Sequence, residues 1–387
     1  METTQTPIAG APSDATATFL SRKARDAFAR FLPSAVTLNG PAKQDIQVHD
    51  GRLFARVLLK GTLGLGEAYM DGWWDCDALD QFFAHAINPG VMKKLIFSPP
   101  TFRYALRQKL FNLQTRKDAF KIAEHHYDLG NNLYRAMLDP MMVYSCAYWK
   151  DVSTLAEAQE AKLDLICRKL QLSPGMTLLD IGCGWGGLAK HAAMNYGVRV
   201  VGVTVSREQV EFAQQSCKGL AVDIRLQDYR EVTAEFDRVV SVGCFEHIGP
   251  KNYRTYMQTA HRSLKRGGIF LVQTIGTAEP LPVDPWITTY IFPAGYLPVP
   301  RQIAAAAEGL FDLMDLHEFG RYYDPTLMAW SENFERNWPT LREQYDERFH
   351  RMWKYYLLSC AGLFRSGVLK LYQVVLGKDF PGYASVR

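Results

Sequence analysis

From residue 122 onward the sequence alternates between helical and strand periodicity, and this alternation restricts the fold more than any other feature. The run Met176–Gly182 is a short apolar stretch ending in an acid and a glycine. A helix at 186–196, a strand at Arg199–Val205 and a helix at 206–217 follow. Strands at 223–228, 236–243 and 268–275 flank a helix at 251–265. Strands that are apolar on both faces and separated by helices call for a parallel sheet with helices on either side. Upstream, Thr154 and Glu157 have capping-box spacing, and Ala158/Ala161/Leu165 and Leu163/Ile166/Leu170 keep a helical period. The tail from about 324 reads as helical, with Leu369–Leu376 as a last strand. No internal repeat interrupts the pattern. The expected fold is α/β, a Rossmann-like domain with a mostly parallel sheet, plus a small N-terminal α+β domain.

The first strand hands over to its helix through Asp180-Ile181-Gly182-Cys183-Gly184-Trp185-Gly186-Gly187. Glycines there let the backbone turn sharply and approach a ligand at the carboxyl edge of the sheet. The pattern is D-x-G-x-G-x-G, which does not match the G-x-G-x-x-G pyrophosphate fingerprint and disfavours a dinucleotide dehydrogenase. Asp180 offers a carboxylate for a ligand ammonium. The second strand ends in Val203-Thr204-Val205-Ser206, with no acid for an adenosine ribose.

Ahead of this domain the chain reads differently. Residues 1–18 are rich in Thr, Ala, Ser and Pro, as in a disordered start. Residues 19–98 read as the small α+β domain, with strands between Leu38 and Leu65 (Ile46/Val48, then Leu53/Ala55/Val57/Leu59) broken by glycines, and helices around Glu67–Met70 and 78–97. Between Lys93 and Lys121 eight basic residues face one acid, Asp118, a local charge of +7 (eight less one) against +4 for the whole chain. This basic, apolar-interleaved run, linker 99–121 included, fits a solvated linker helix. It equally fits a segment lying on an anionic membrane surface.

The net charge is too mild to mark a nucleic-acid binder. The seven cysteines form no C-x-x-C pair and are odd in number, so neither a disulfide framework nor a zinc site is expected, and a reducing cytoplasm fits. Neither a signal peptide nor a membrane span is legible.

Several blocks together resemble the cyclopropane-fatty-acyl-phospholipid synthases. They are Tyr144-Ser145-Cys146-Ala147-Tyr148-Trp149, Asp180–Gly187, Val203–Ser206, Phe245-Glu246-His247-Ile248-Gly249, Tyr290-Ile291-Phe292-Pro293, Leu327-Met328-Ala329-Trp330 and Tyr355–Gly362. They run in family order through a catalytic domain at 122–387, and residues 19–98 resemble the family's lipid-binding domain. The resemblance implies transfer of a methylene carbon from S-adenosylmethionine to a cis double bond of a phospholipid acyl chain, with a bound bicarbonate ion as the base. It implies a cytoplasmic enzyme that associates peripherally with the inner face of the membrane, and a homodimer.

Carried over by motif, the bicarbonate site falls on Cys146, Glu246, Gln273, Ile275 and Tyr323, with His247 behind Glu246. Gln273 departs from the family's usual histidine, which puts anion affinity and ring closure in question. The cofactor would meet Tyr144 and Ser145 at its methionine end and Asp180, Gly182, Gly184 and Gly186 beneath it. Thr204 and Gln209 would reach the ribose, and Gln227 and Asp228 the adenine. Cys360 is a catalytic candidate on resemblance alone, since methyl transfer to carbon needs no thiol. The segments 286–298 and 324–365 would roof an acyl pocket. Two alternatives stay open: methylation of the acyl chain without ring closure, and a non-catalytic lipid-binding protein.

Overall fold

The computed structural model describes residues 14–30, 32–86, 106, 112, 114, 115 and 130–387. Residues 1–13, nearly all of the basic run 93–121 and the domain boundary at 98/99 lie outside the described residues.

The βα alternation folds as the period requires. Strands β3 (Thr177–Ile181), β4 (Arg199–Thr204), β5 (Val222–Leu226), β6 (Phe236–Val242) and β7 (Leu264–Thr277) are parallel. β8 (Asp312–Glu318) and β9 (Leu369–Lys378) complete the order β5-β4-β3-β6-β7-β9-β8, with β9 antiparallel to both of its neighbours. Side chains alternate between two cores. Leu179, Val239, Phe270 and Val272 face the helices Tyr253–Arg262 and Pro300–Ala307. Leu178, Val240, Ile269 and Leu271 face Leu155–Lys169 and Gly187–Tyr196. Strand order reverses between β3 and β6, and such a switch point opens a crevice at the carboxyl ends of the strands.

The N-terminal part differs from its expected strands. Among the described residues there, Gln47–Val48 (β1) pairs with Trp74–Asp75 (β2), and Leu38 forms a single parallel bridge to Ile46. The run Leu53/Ala55/Val57/Leu59 lies in the helix Arg52–Lys60. Leu53, Phe54 and Val57 are its buried set, while Ala55 and Leu59 are exposed. Burial thus follows a helical spacing that the two-residue alternation concealed. A helix occupies Asp14–Ala29, so the irregular start expected through residue 18 does not reach that far.

This part shares one aromatic core with the C-terminal helices. Phe28, Trp74 and Phe83 belong to the same buried cluster as Trp185, Tyr323 and Trp353. The helix Glu347–Arg365 makes most of the contact, and Trp286 adds to it by donating to Met70 Sδ at 3.3 Å. Arg351 donates to the Tyr69 carbonyl at 2.5 Å and to Asp75 at 2.6 Å, and Arg365 binds Asp80 at 2.5 Å. Gly362 permits the close approach: a Cβ there would lie 2.4 Å from the Asp80 carbonyl oxygen. No helix among the described residues is long and apolar enough to cross a membrane.

Candidate active site

The β3 glycine loop borders a cavity of about 200 Å³ at the switch point. Gly182 and Gly184 adopt φ of 79° and 54°, values that side-chain-bearing residues rarely take. An added Cβ at Gly184 would meet no atom within 4 Å, so the loop backbone faces open space. Of the cofactor residues expected from sequence, Tyr144, Ser145, Asp180, Gly182, Gly184, Thr204, Gln209, Gln227 and Asp228 all line this cavity. Gly186 does not: its Cβ position lies 3.1 Å from Ala213, so that glycine serves helix packing, and Gly187 takes its place on the wall.

Each wall residue has a local reason for its position. Thr204 closes β4 and donates its hydroxyl to Gln209 Oε1 at 2.7 Å. Asp228 spends part of its carboxylate on the turn that follows, accepting from Arg230 N at 2.9 Å. Asp180, the penultimate residue of β3, lies near Lys162 of the helix Leu155–Lys169. Its Oδ2 is buried with no hydrogen-bond partner, and burial pushes its carboxyl up to about 7. Lys162 draws it down only in part, and the unpaired Oδ2 fits the ammonium end of an amino-acid cofactor.

The sequence reading missed Lys162. It is 1% exposed, lines the cavity and donates to Ser145 Oγ at 2.9 Å. Burial lowers its ammonium to about 8, against the opposing pull of Asp139 and Asp180. The signal was present in the buried stripe Gln159/Lys162/Ile166 of a capped helix, where a lysine is out of place. Gln114 is a second omission; it lines the cavity and donates to the Ala294 carbonyl at 2.6 Å.

The expected catalytic residues lie just beyond the cavity wall rather than on it. Glu246 sits in the 3-10 turn Phe245–His247, flanked by the wall residues Cys244 and His247. Its Oε2 accepts from Thr274 Oγ1 at 2.9 Å and its Oε1 from Ile275 N at 3.4 Å. Burial nevertheless pushes its carboxyl up to about 7. His247 is driven down to about 4 by burial and is neutral at neutral pH.

Cys146 is fully buried, and its thiol, raised by desolvation, donates to the Ala147 carbonyl at 3.3 Å. The Tyr323 hydroxyl is raised chiefly by burial and then by the nearby Cys146 and Glu246. Burial likewise holds the Cys360 thiol up at about 12, so it is no thiolate. Aromatic rings enclose this region. Tyr144 bonds the Tyr356 hydroxyl at 2.8 Å and packs 5.1 Å from Trp330, while Tyr323 stacks on Phe364 at 4.4 Å.

With this geometry established, comparison places the chain. The Mycolic acid cyclopropane synthetase family profile matches residues 114–374. The cyclopropane-fatty-acyl-phospholipid synthase of Escherichia coli (strain K12) is 54% identical over 349 residues, covering 89% of this chain and 91% of that one. Cyclopropane mycolic acid synthase 1 of Mycobacterium tuberculosis (strain H37Rv) is 37% identical, covering 68% of this chain and 98% of its own. Among solved structures, the cyclopropane synthase MmaA2 of M. tuberculosis superposes with a TM-score of 0.65 at 33% identity, covering 69% of this chain and all of that one. Mycolic acid cyclopropane synthase CmaA1, complexed with SAH and CTAB, gives 0.62 at 35% identity, covering 66% of this chain and 97% of that one. The chain therefore belongs to the mycolic acid cyclopropane synthetase family, within the S-adenosylmethionine-dependent methyltransferases.

Proposed function

We propose that the protein is a cyclopropane-fatty-acyl-phospholipid synthase that adds one carbon across a cis double bond of a phospholipid acyl chain. The observation that carries this reading is Glu246, a buried carboxyl at the edge of the glycine-loop cavity and inside an aromatic enclosure. When bound, S-adenosylmethionine supplies a methyl on a cationic sulfur, an electrophile strong enough for an unactivated alkene. Asp180 and the Gly182–Gly184 backbone would hold its amino-acid end, with Tyr144, Ser145 and Lys162 beside it. Thr204 and Gln209 would take the ribose, and Gln227 and Asp228 the adenine.

An alkene that gains a methyl becomes a carbocation and must lose a proton to close the ring. The faces of Tyr144, Tyr323 and Trp330 shelter such a cation and keep water away from it. Glu246, Cys146, Gln273, Ile275 and Tyr323 would hold a bicarbonate ion, which supplies a base. Their chemistry suits a small anion. Glu246 is protonated over part of the neutral range, Gln273 Nε2 is buried without a partner, and the Lys162 ammonium lies near Cys146. Cys360 takes no step in this scheme.

A second reading, methylation without ring closure, rests on Gln273, a neutral amide that cannot carry a proton at the position where the family resemblance implies a histidine. The boundaries 19–98, 99–121 and 122–387, peripheral attachment to the inner face of the membrane through the basic run, and a homodimer complete the proposal. Sizing in solution tests the dimer. Mass spectrometry of lipids from cells expressing the chain tests the chemistry. A gain of one CH₂ that resists mild hydrogenation supports the ring, one that remains reducible or branched supports the second reading, and unchanged lipids refute both.

A further inference from the structure

β7 and β9 place Gln273 directly opposite Gln373. The two amides are 1% and 0% exposed, on a sheet face otherwise built of Leu271, Leu371 and Val375. Gln373 Nε2 donates to Gln273 Oε1 at 2.8 Å. Two facing amides joined by one bond leave one donor and one acceptor over. Those two atoms, Gln273 Nε2 and Gln373 Oε1, have no partner. Unpaired buried polar atoms cost stability, whereas an apolar pair of the same shape would be close to neutral, so stability does not explain the amides. Their position does suggest a use. The Gln273 carbonyl accepts from Gly243 N at the cavity wall. Ile275, on the same face of β7, gives its N–H to Glu246.

We propose that Gln273 and Gln373 together form a two-point subsite for a small oxyanion that still carries a proton, hydrogen carbonate. Gln273 donates an N–H to one oxygen, and Gln373 accepts the ligand's O–H. This rests on the bicarbonate reading above and extends it to Gln373 and to a selectivity. A planar anion of similar size with no proton, such as nitrate, leaves the Gln373 oxygen unpaired. Hydrogen carbonate is then preferred by about tenfold or more.

The test uses the full-length protein with S-adenosylhomocysteine added. It is titrated with ¹³C-labelled hydrogen carbonate and followed by ¹³C NMR line broadening, with nitrate as competitor and thermal unfolding in parallel. The wild type should bind hydrogen carbonate and resist nitrate. Gln373→Leu should lose that preference while keeping S-adenosylhomocysteine affinity. The double variant Gln273→Leu/Gln373→Leu, which leaves no orphan amide, should unfold no earlier than the wild type and lose hydrogen carbonate binding; it carries the test if the single variant does not fold. If both variants bind hydrogen carbonate as the wild type does, with the same preference over nitrate, the subsite is wrong and the bicarbonate reading stands. If the wild type itself gives no broadening, both fall together.

Discussion

Glu246 shows how much a single residue's surroundings decide. Two donors hold its carboxylate, yet burial outweighs them and raises the group from 4.5 to about 7. Between those values the folded chain binds a proton that the unfolded chain has released, so stability falls as pH rises through that window. Glu246→Gln should remove the penalty. Its unfolding temperature should exceed the wild type's at about pH 8, and the gap should close by about pH 5. Product formation should drop by about 10²–10⁴-fold, the usual weight of a proton-handling group. A gap independent of pH would mean that the carboxylate is solvated after all. At the glycine loop, Gly184→Val puts a branched side chain at φ 54° and into the open cavity. Calorimetry should then detect no S-adenosylmethionine binding, and wild-type affinity would sink the cofactor assignment. Gln273→His should lower the bicarbonate needed for turnover by about tenfold, because a charged hydrogen bond outweighs a neutral one. The cofactor contacts lie on other segments, so S-adenosylmethionine affinity should not change.

Among the elements, the helix Glu347–Arg365 bears the most consequence because its two sides serve different partners. Arg351, Tyr355, Gly362 and Arg365 hold the N-terminal part, while Tyr356 bonds Tyr144 at the cofactor cavity. Gly362→Val must push the helix Leu79–Ala86 away, because backbone and not a flexible side chain meets the new Cβ. The cost should be about 1–3 kcal/mol by denaturant titration, with a loss of turnover larger than the loss of cofactor affinity. A fully stable variant would show that the two helices do not pack as described. The capping box at Thr154 and Glu157 forms as its spacing required, with both reciprocal bonds present, and it sets the register that carries Lys162 beneath the cavity. β8 escaped sequence reading because D-L-M-D-L-H-E has no clean alternation: Asp315 is buried, whereas Leu313 and Leu316 are exposed. Asp315 is tolerated inside because Arg387 pairs with it at 2.5 Å, a partner 72 residues away.

For the whole molecule, the proposal is an enzyme that reaches into a bilayer surface. The basic run between Lys93 and Lys121 is where attraction to anionic lipid would concentrate. Reversing several of its charges should weaken binding to vesicles containing phosphatidylglycerol and flatten its salt dependence, measured by co-sedimentation. Wild-type binding that ignores salt would return this segment to the role of a linker.

The sequence by itself determined the βα alternation, the glycine loop and most of the cavity wall. Those features come from local periodicity, from the φ values only glycine takes easily, and from neighbours close along the chain. It also carried Glu246 and Gln273 as motif positions. The tertiary structure alone decided three things. The N-terminal part shares a core with Glu347–Arg365, since burial there depends on contacts more than 250 residues apart, such as Arg351 with Asp75. Lys162 became a cavity residue because β3, which carries Asp180, packs against its helix. Gln373 became the partner of Gln273 through antiparallel register across 100 residues, which no local pattern encodes.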